Sequence, residues 1–127
     1  MKRVLLDTSV LIAAASPGEL EGAISAASLA ELHFGALVAA DADERGRRLA
    51  RLGAIEATFG PLALDAAVAR EWGRLAAAVA QRGGHPRRRA MDLAIAATAN
   101  VHGVPLLTHD AADLAIIGDL VTLVDAA

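Results

Sequence analysis

Cysteine is absent from this 127-residue chain, which excludes disulfides and thiolate-held metals and suits a reducing compartment such as the cytoplasm. Tyrosine is absent too, and only Phe34, Phe59 and Trp72 carry aromatic rings. That is too few for a platform on which RNA bases stack. Lysine occurs only at position 2, and the net charge of -3 argues against nucleic-acid binding by bulk electrostatics. No apolar run reaches the length of a membrane span. Met1-Lys2-Arg3 and the apolar run ending in Ala13-Ala14-Ala15 have the outline of a secretory leader, but Asp7, Thr8 and Ser9 interrupt it. A buried first strand accounts for the run better.

What the chain has in quantity is alanine, within a composition that is 55% hydrophobic. Alanine loses no side-chain entropy in a helix, so Ala-rich stretches favour helices. Short aliphatic runs between them supply strands, and the alternation predicts an α/β fold around a mostly parallel sheet. The length fits one domain, taken as residues 1–127.

Strands are expected at 3–6, 23–26, 61–64, 104–107 and 120–124. Helices are expected from Asp7 to about Ala15, from Ser28 to about Ala40 and over 43–57. Further helices should follow Asp65 to about Gln81, cover 90–101, and form a short turn over 111–116. Val68, Trp72, Leu75 and Val79 fall at spacings of four, three and four, an apolar stripe that places Trp72 in the core or a dimer contact. Gly83-Gly84-His85-Pro86 reads as a turn, and His102-Gly103 as a helix C-cap.

Carboxylates fall where strands give way to helices. Asp7 follows the first strand, Glu31 the second and Asp110 the fourth, while Asp92 opens the helix that feeds the fourth. Ligands of open α/β sheets bind at the carboxyl ends of strands, and a right-handed crossover would bring Asp92 to that edge. Each acid also has a purely structural explanation. Asp7 caps a helix, Ser28 and Glu31 fit a capping box, Asp110 and Asp113 fit one more weakly, and Asp92 complements a helix dipole. The structural explanation is hardest to sustain for Asp92. With Ile95, Ala96 and Ala99 at i+3, i+4 and i+7 it projects from an apolar face, where a carboxylate must be paired, protonated or bound to a cation.

The segments Leu5-Leu6-Asp7-Thr8-Ser9-Val10-Leu11-Ile12, Ser28-Leu29-Ala30-Glu31-Leu32 with Gly35, Asp92 to Ala99, and Leu106-Leu107-Thr108-His109-Asp110 with Asp113-Leu114 carry a resemblance across nearly the whole chain. The sequence resembles the PIN-domain ribonucleases, in particular the VapC toxins of bacterial toxin–antitoxin pairs. The resemblance implies a three-layer α/β/α sandwich and a Mg²⁺-dependent endoribonuclease, with Mn²⁺ as a possible substitute. The acids would be Asp7, Glu31, Asp92 and Asp110, and the products a 3′-hydroxyl and a 5′-phosphate. An all-oxygen donor set suits such hard cations. Asp7 and Asp92 are the expected direct ligands, Glu31 and Asp110 hold waters or a second ion, and Thr8, Ser9 and Thr108 orient ligands or water. The chain departs from the family at Asp110, where many relatives carry asparagine, and at Asp113-Leu114, where many carry an acid followed by phenylalanine. Either Asp110 or Asp113 could therefore be the fourth acid, with Asp110 preferred as nearer the strand end. A homodimer and a VapB-type antitoxin are implied as well.

Arg87, Arg88 and Arg89 precede the Asp92 helix and either grip RNA phosphates or form a solvated run. Arg45, Arg47, Arg48 and Arg51 are expected to face solvent or a partner. His33, His85, His102 and His109 lack zinc-ligand spacing, and His109 reads chiefly as a loop residue. A non-catalytic PIN-like module that holds RNA or protein is the alternative. A phosphohydrolase of the haloacid dehalogenase type would need an aspartate where Ser9 stands and a lysine late in the chain, and it has neither.

Overall fold

A computed structural model describes residues 3–126; Met1 and Lys2, the start of the leader-like segment, and Ala127 lie outside it. A parallel sheet of β1 (Leu5–Leu6), β2 (Leu106–Thr108) and β3 (Leu123–Asp125) runs in that spatial order. Around it pack α1 (Thr8–Ala13), α2 (Ala26–Leu37), α3 (Ala42–Thr58), α4 (Ala66–Gln81) and α5 (Ala90–Val101). Tight 3₁₀ turns occupy Pro17–Glu19, Pro86–Arg89 and Ala111–Ile117.

Successive strand residues point to opposite faces, and the core follows that rule. Leu5 and Leu106 join a cluster with Val68, Leu75 and Val79 of α4 and the apolar residues of α5. Leu6 joins a second cluster with Val10 and Leu11 of α1 and Ile55 of α3, against which Leu107 packs. Helices therefore cover both faces, which is the expected α/β/α layering. Trp72 packs, partly buried, against the first cluster, as the α4 stripe predicts.

The sheet is narrower than the apolar runs imply. The expected strands at 23–26 and 61–64 are reduced to single bridges, Leu5 with Ala23 and Ser25 with Leu62. The reason is local. Ser25 already caps α2 by accepting from the Ala27 N–H, and Pro61 has no N–H to give a ladder. Expected ends shift elsewhere: α1 stops at Ala13, α2 at Leu37, and the strand before Asp110 is Leu106–Thr108, so Thr108 is a strand residue rather than loop. The last expected strand is displaced to Leu123–Asp125, and the short helix after Asp110 is 3₁₀.

Two ends are as the sequence indicates. Asp65 caps α4 by accepting from the Val68 N–H at 3.0 Å. α5 closes on Gly103 at φ +65, with the Gly103 N–H bonded to Asn100 O and the Val104 N–H to Ala99 O. That pair of bonds is a Schellman motif, which needs the left-handed conformation glycine adopts freely. Among the described residues no helix is long and apolar enough to cross a membrane.

Candidate active site

Asp7 leaves β1 as the N-cap of α1, so the structural explanation for it is correct as far as it goes. Its carboxylate does more than cap. Oδ2 accepts from Ser9 Oγ at 2.6 Å, from Thr108 Oγ1 at 2.9 Å and from the Ser9 N–H at 3.3 Å. None of these donors reaches Oδ1. Thr108 Oγ1 in turn accepts from the Asp110 N–H at 2.9 Å, and Ser9 Oγ from the His109 N–H at 3.1 Å. Ser9 and Thr108 thereby tie β1 to the turn after β2. The His109 side chain itself is exposed.

Glu31 reaches the same corner from α2. Thr8 Oγ1 lies 2.7 Å from Glu31 Oε1 and 3.0 Å from Ser28 Oγ, and its one proton serves one of these acceptors at a time. The expected capping box fails here. Ser25, not Ser28, is the cap, so Ser28 is a buried helical residue and Glu31 sits in the second turn. The error came from a serine in each of two adjacent turns, Ser25 and Ser28, of which only the fold selects one.

Asp92 lies in the first turn of α5, with its side chain 36% exposed and no hydrogen bond among the described residues. Its carboxyl is raised from the ordinary 3.8 to about 6, with burial the largest cause. The charges of Asp7 and Glu31 push the same way, Arg89 opposes them, and Asp110 adds to the rise. The other three acids expected from the sequence thus each act on Asp92. Asp110 stands at the N-cap of the following 3₁₀ turn but makes no side-chain cap bond, so its carboxylate is not consumed there. Asp113 is held differently, in an ion pair of 3.4 Å with Arg89.

The donor set is oxygen only, yet among the described residues no three acidic or histidine side chains are close enough to hold one ion jointly. A hard, hydrated cation keeps several waters and meets only one or two carboxylates directly, so it does not require three around it. Asp7 Oδ1, Glu31 Oε2 and the Asp92 and Asp110 carboxylates are the oxygens left without a hydrogen bond among the described residues.

Arg51 departs from expectation. It does not face solvent: its Nη2 donates to the carbonyls of Leu11, Ile12 and Ala14 and so closes the C-terminus of α1. Arg48 bonds Gly35 O and Arg45 bonds Ala39 O, so these arginines fasten α3 to α1 and α2. Their polar spacing looked like a solvated helix face, and nothing local announced the carbonyls they meet. Arg45, Arg47 and Arg48 are nonetheless exposed, as expected, and Arg47 and Arg48 pair with Glu44 on the surface.

Cavity size does not locate the chemistry. A cavity of about 480 Å³ beside Arg3, Gly22 and His102 opens at the N-terminal edge of the strands and contains none of the four acids. A groove of about 380 Å³ between α1, α2 and α3 reaches Glu31. The acids lie at the other edge, where β1 and β2 end, as expected for an open α/β sheet.

The PIN-domain family profile matches residues 4–118. Ribonuclease VapC5 of Mycobacterium tuberculosis is 40% identical over 113 residues, covering 84% of this chain and 82% of that relative. Ribonuclease VapC4 of the same organism is 34% identical over 117 residues, covering 87% and 88%. A structure described as a member of the VapBC family of toxin–antitoxin systems, VapBC-5 from Mycobacterium tuberculosis, superposes with a TM-score of 0.80 at 34% identity over 98% of both chains. FitAcB from Neisseria gonorrhoeae gives 0.74 at 23% identity over 96% of both chains, a likeness of fold alone. With a matched profile over most of its length and relatives this close, the chain belongs to the PIN-domain family, in its VapC toxin group.

Proposed function

We propose that the chain is a metal-dependent endoribonuclease that acts as one domain in the cytoplasm and is the toxin of a toxin–antitoxin pair. The observation that carries the reading is the partly buried Asp92 carboxylate, which makes no hydrogen bond among the described residues and has only the Arg89 guanidinium at 3.8 Å to offset its charge. Burial and three neighbouring acids hold it at about 6, a cost that a bound cation would relieve. The relatives named ribonuclease support RNA as the substrate.

In this reading Asp7 and Asp92 hold the ion directly, while Glu31 and Asp110 hold its waters. Mg²⁺ is the proposed ion and Mn²⁺ its substitute. When bound, the metal supplies an activated water and offsets charge on the scissile phosphate. The residues of the chain orient these parts. Ser9 and Thr108 fix Asp7 through Oδ2, so Oδ1 would be the oxygen free to hold the ion. Thr8 fixes Glu31 through Oε1 and leaves its second oxygen for a water. Water attacks phosphorus, the bond to the 3′-oxygen breaks, and the products are a 3′-hydroxyl and a 5′-phosphate. Arg87, Arg88 and Arg89 contact RNA phosphates.

A VapB-type antitoxin is part of the proposal. Several structural neighbours are described as VapBC complexes. Ile12, Phe34, Leu37 and Val38 are apolar side chains left more than half exposed, a surface that a partner would cover. A guanidinium or ammonium from that partner, entering among the acids, would silence the site.

The deciding experiment is RNA cleavage by the purified protein with Mg²⁺, with Mn²⁺ and in excess EDTA. Cleavage should depend on the metal and stop in EDTA, and full activity in EDTA would overturn the mechanism. RNA binding without cleavage under any of these metals would favour the non-catalytic module instead.

A further inference from the structure

The arginines of this chain divide by what they already hold. Arg74 and Arg82 make bonds of 2.6 to 3.1 Å to Glu71, Asp119 and the Ile116 carbonyl. Arg47 and Arg48 are similarly engaged with Glu44, and Arg51 with the end of α1. Arg87 and Arg88 are exposed, with no side-chain bond among the described residues. Arg89 belongs to neither group. Its Nη1 lies 3.4 Å from Asp113 Oδ2 and 3.8 Å from Asp92 Oδ2. Both are ion-pair distances rather than hydrogen bonds. Nε and Nη2 have no partner among the described residues.

A guanidinium is a planar fork matched to two oxygens. Here one tine rests between two carboxylates, and the rest of the fork is open beside Asp92. Chain connection strengthens the placement: Arg89 ends the 3₁₀ turn that leads directly into α5, so its backbone is set by the same helix that sets Asp92. Asp113 comes from another element, the 3₁₀ turn after β2, and holds the guanidinium from that side. Asp110 and Asp113 are thus divided by structure. Asp110 is tied through its N–H to Thr108 and hence to Asp7, whereas Asp113 faces Arg89.

Resting on the nuclease reading above, we propose that Arg89 binds a non-bridging phosphate oxygen of the RNA backbone beside Asp92, and that Asp113 is the positioning residue that aims it rather than a fourth acid at the metal. A guanidinium near a carboxylate that must receive a cation competes with that cation, and Asp113 limits the competition by drawing Arg89 aside. When RNA arrives, the open fork meets the phosphate with charge-assisted bonds that strengthen as negative charge builds on it.

The test combines a metal titration without RNA and kinetics on bulk tRNA or whichever RNA the wild type cleaves. Calorimetric Mn²⁺ titrations at pH 8 compare wild type with Asp110→Asn, Asp113→Asn and Arg89→Ala. Asp110→Asn should weaken Mn²⁺ binding by about 10-fold, Asp113→Asn should change it by less than about 3-fold, and Arg89→Ala should tighten it by about 3-fold as a competing charge leaves. In cleavage, Arg89→Ala should lower kcat by about 10-fold or more, with Arg89→Lys restoring only part because an ammonium lacks the fork. Asp113→Asn should lower kcat by several-fold in the wild-type background and have no further effect when Arg89 is already alanine. If Asp113→Asn weakens Mn²⁺ as much as Asp110→Asn, or if its effect on kcat adds to that of Arg89→Ala, the proposal is wrong while the nuclease reading stands. If the wild type binds no Mn²⁺ at all, both fall.

Discussion

The two sides of the acidic corner are built in opposite ways. On the strand side, Asp7 is 6% exposed and receives three hydrogen bonds on one oxygen. Thr108 and Ser9 then pass that order on to the backbone of Asp110 and His109. On the helix side, Asp92 has no hydrogen bond among the described residues, is pushed up to about 6, and has only a distant guanidinium for company. One side is satisfied before any ligand arrives, and the other is not. A saturated carboxylate gives geometry, because its donors fix where the free oxygen points. An unsaturated one gives driving force, because the charge it cannot discharge in the apo fold is what a cation relieves. A site that needed both in one residue would have to be rigid and strained at the same atom.

Breaking the strand side should have the largest effect. Asp7→Ala removes the acceptor of three bonds and leaves the Thr108 and Ser9 hydroxyls without it, so stability should fall by about 2–3 kcal/mol. Cleavage should drop by at least ~100-fold, because the open oxygen goes with it. Denaturant melts and a cleavage assay on the same sample check both.

Asp92→Asn sharpens the contrast, because activity and stability should move in opposite directions. Cleavage should again fall by at least ~100-fold. In EDTA at neutral pH, however, the variant should melt higher than wild type. The sign follows from the raised value. In the unfolded chain the group titrates near 3.8 and in the fold near 6, so the ionised form is the one the fold disfavours. The cost is absent below 3.8, grows from there to about 6, and is complete above that. After solvent screening at a position this exposed it amounts to about 1 kcal/mol. Wild type and variant should therefore converge on acidification through that window, and Mg²⁺ should stabilise wild type more than the variant. A variant that melts well below wild type at neutral pH in EDTA would mean that Asp92 is a structural residue.

Thr108→Val is the mildest break. It keeps the side-chain volume but deprives Asp7 of one donor and the Asp110 N–H of its acceptor. Stability should fall by about 1–2 kcal/mol, with cleavage reduced less than for either acid. A loss of activity as deep as that of Asp7→Ala, with stability unchanged, would give Thr108 a chemical role beyond support.

Much of this was readable along the chain, and the parts that were not have a common cause. Asp65, Gly103 and the α4 stripe are local signals, and each stands where its sequence neighbours put it. The second and third strands are shorter than their apolar runs because apolarity shows burial but not pairing, and a cap at Ser25 and a proline at 61 cut the ladders to single bridges. Ser28 fits a capping box by spacing alone, but capping depends on which residue begins the helix, and α2 begins at Ala26 with Ser25 as its cap.

What the sequence determined by itself is the set of acids and the order in which they reach the sheet edge. Strand and turn succession places Asp7 and Asp110 there from short-range patterning, whereas the strand expected before Glu31 is reduced to single bridges. Only the tertiary structure decided how each is held. Thr108 meets Asp7 across 101 positions, Arg51 meets Leu11 O across 40, and Arg89 meets Asp113 from a separate turn. Hydrogen bonds and ion pairs act over a few ångströms in space with no regard to distance along the chain, so no spacing or period in the sequence could announce them.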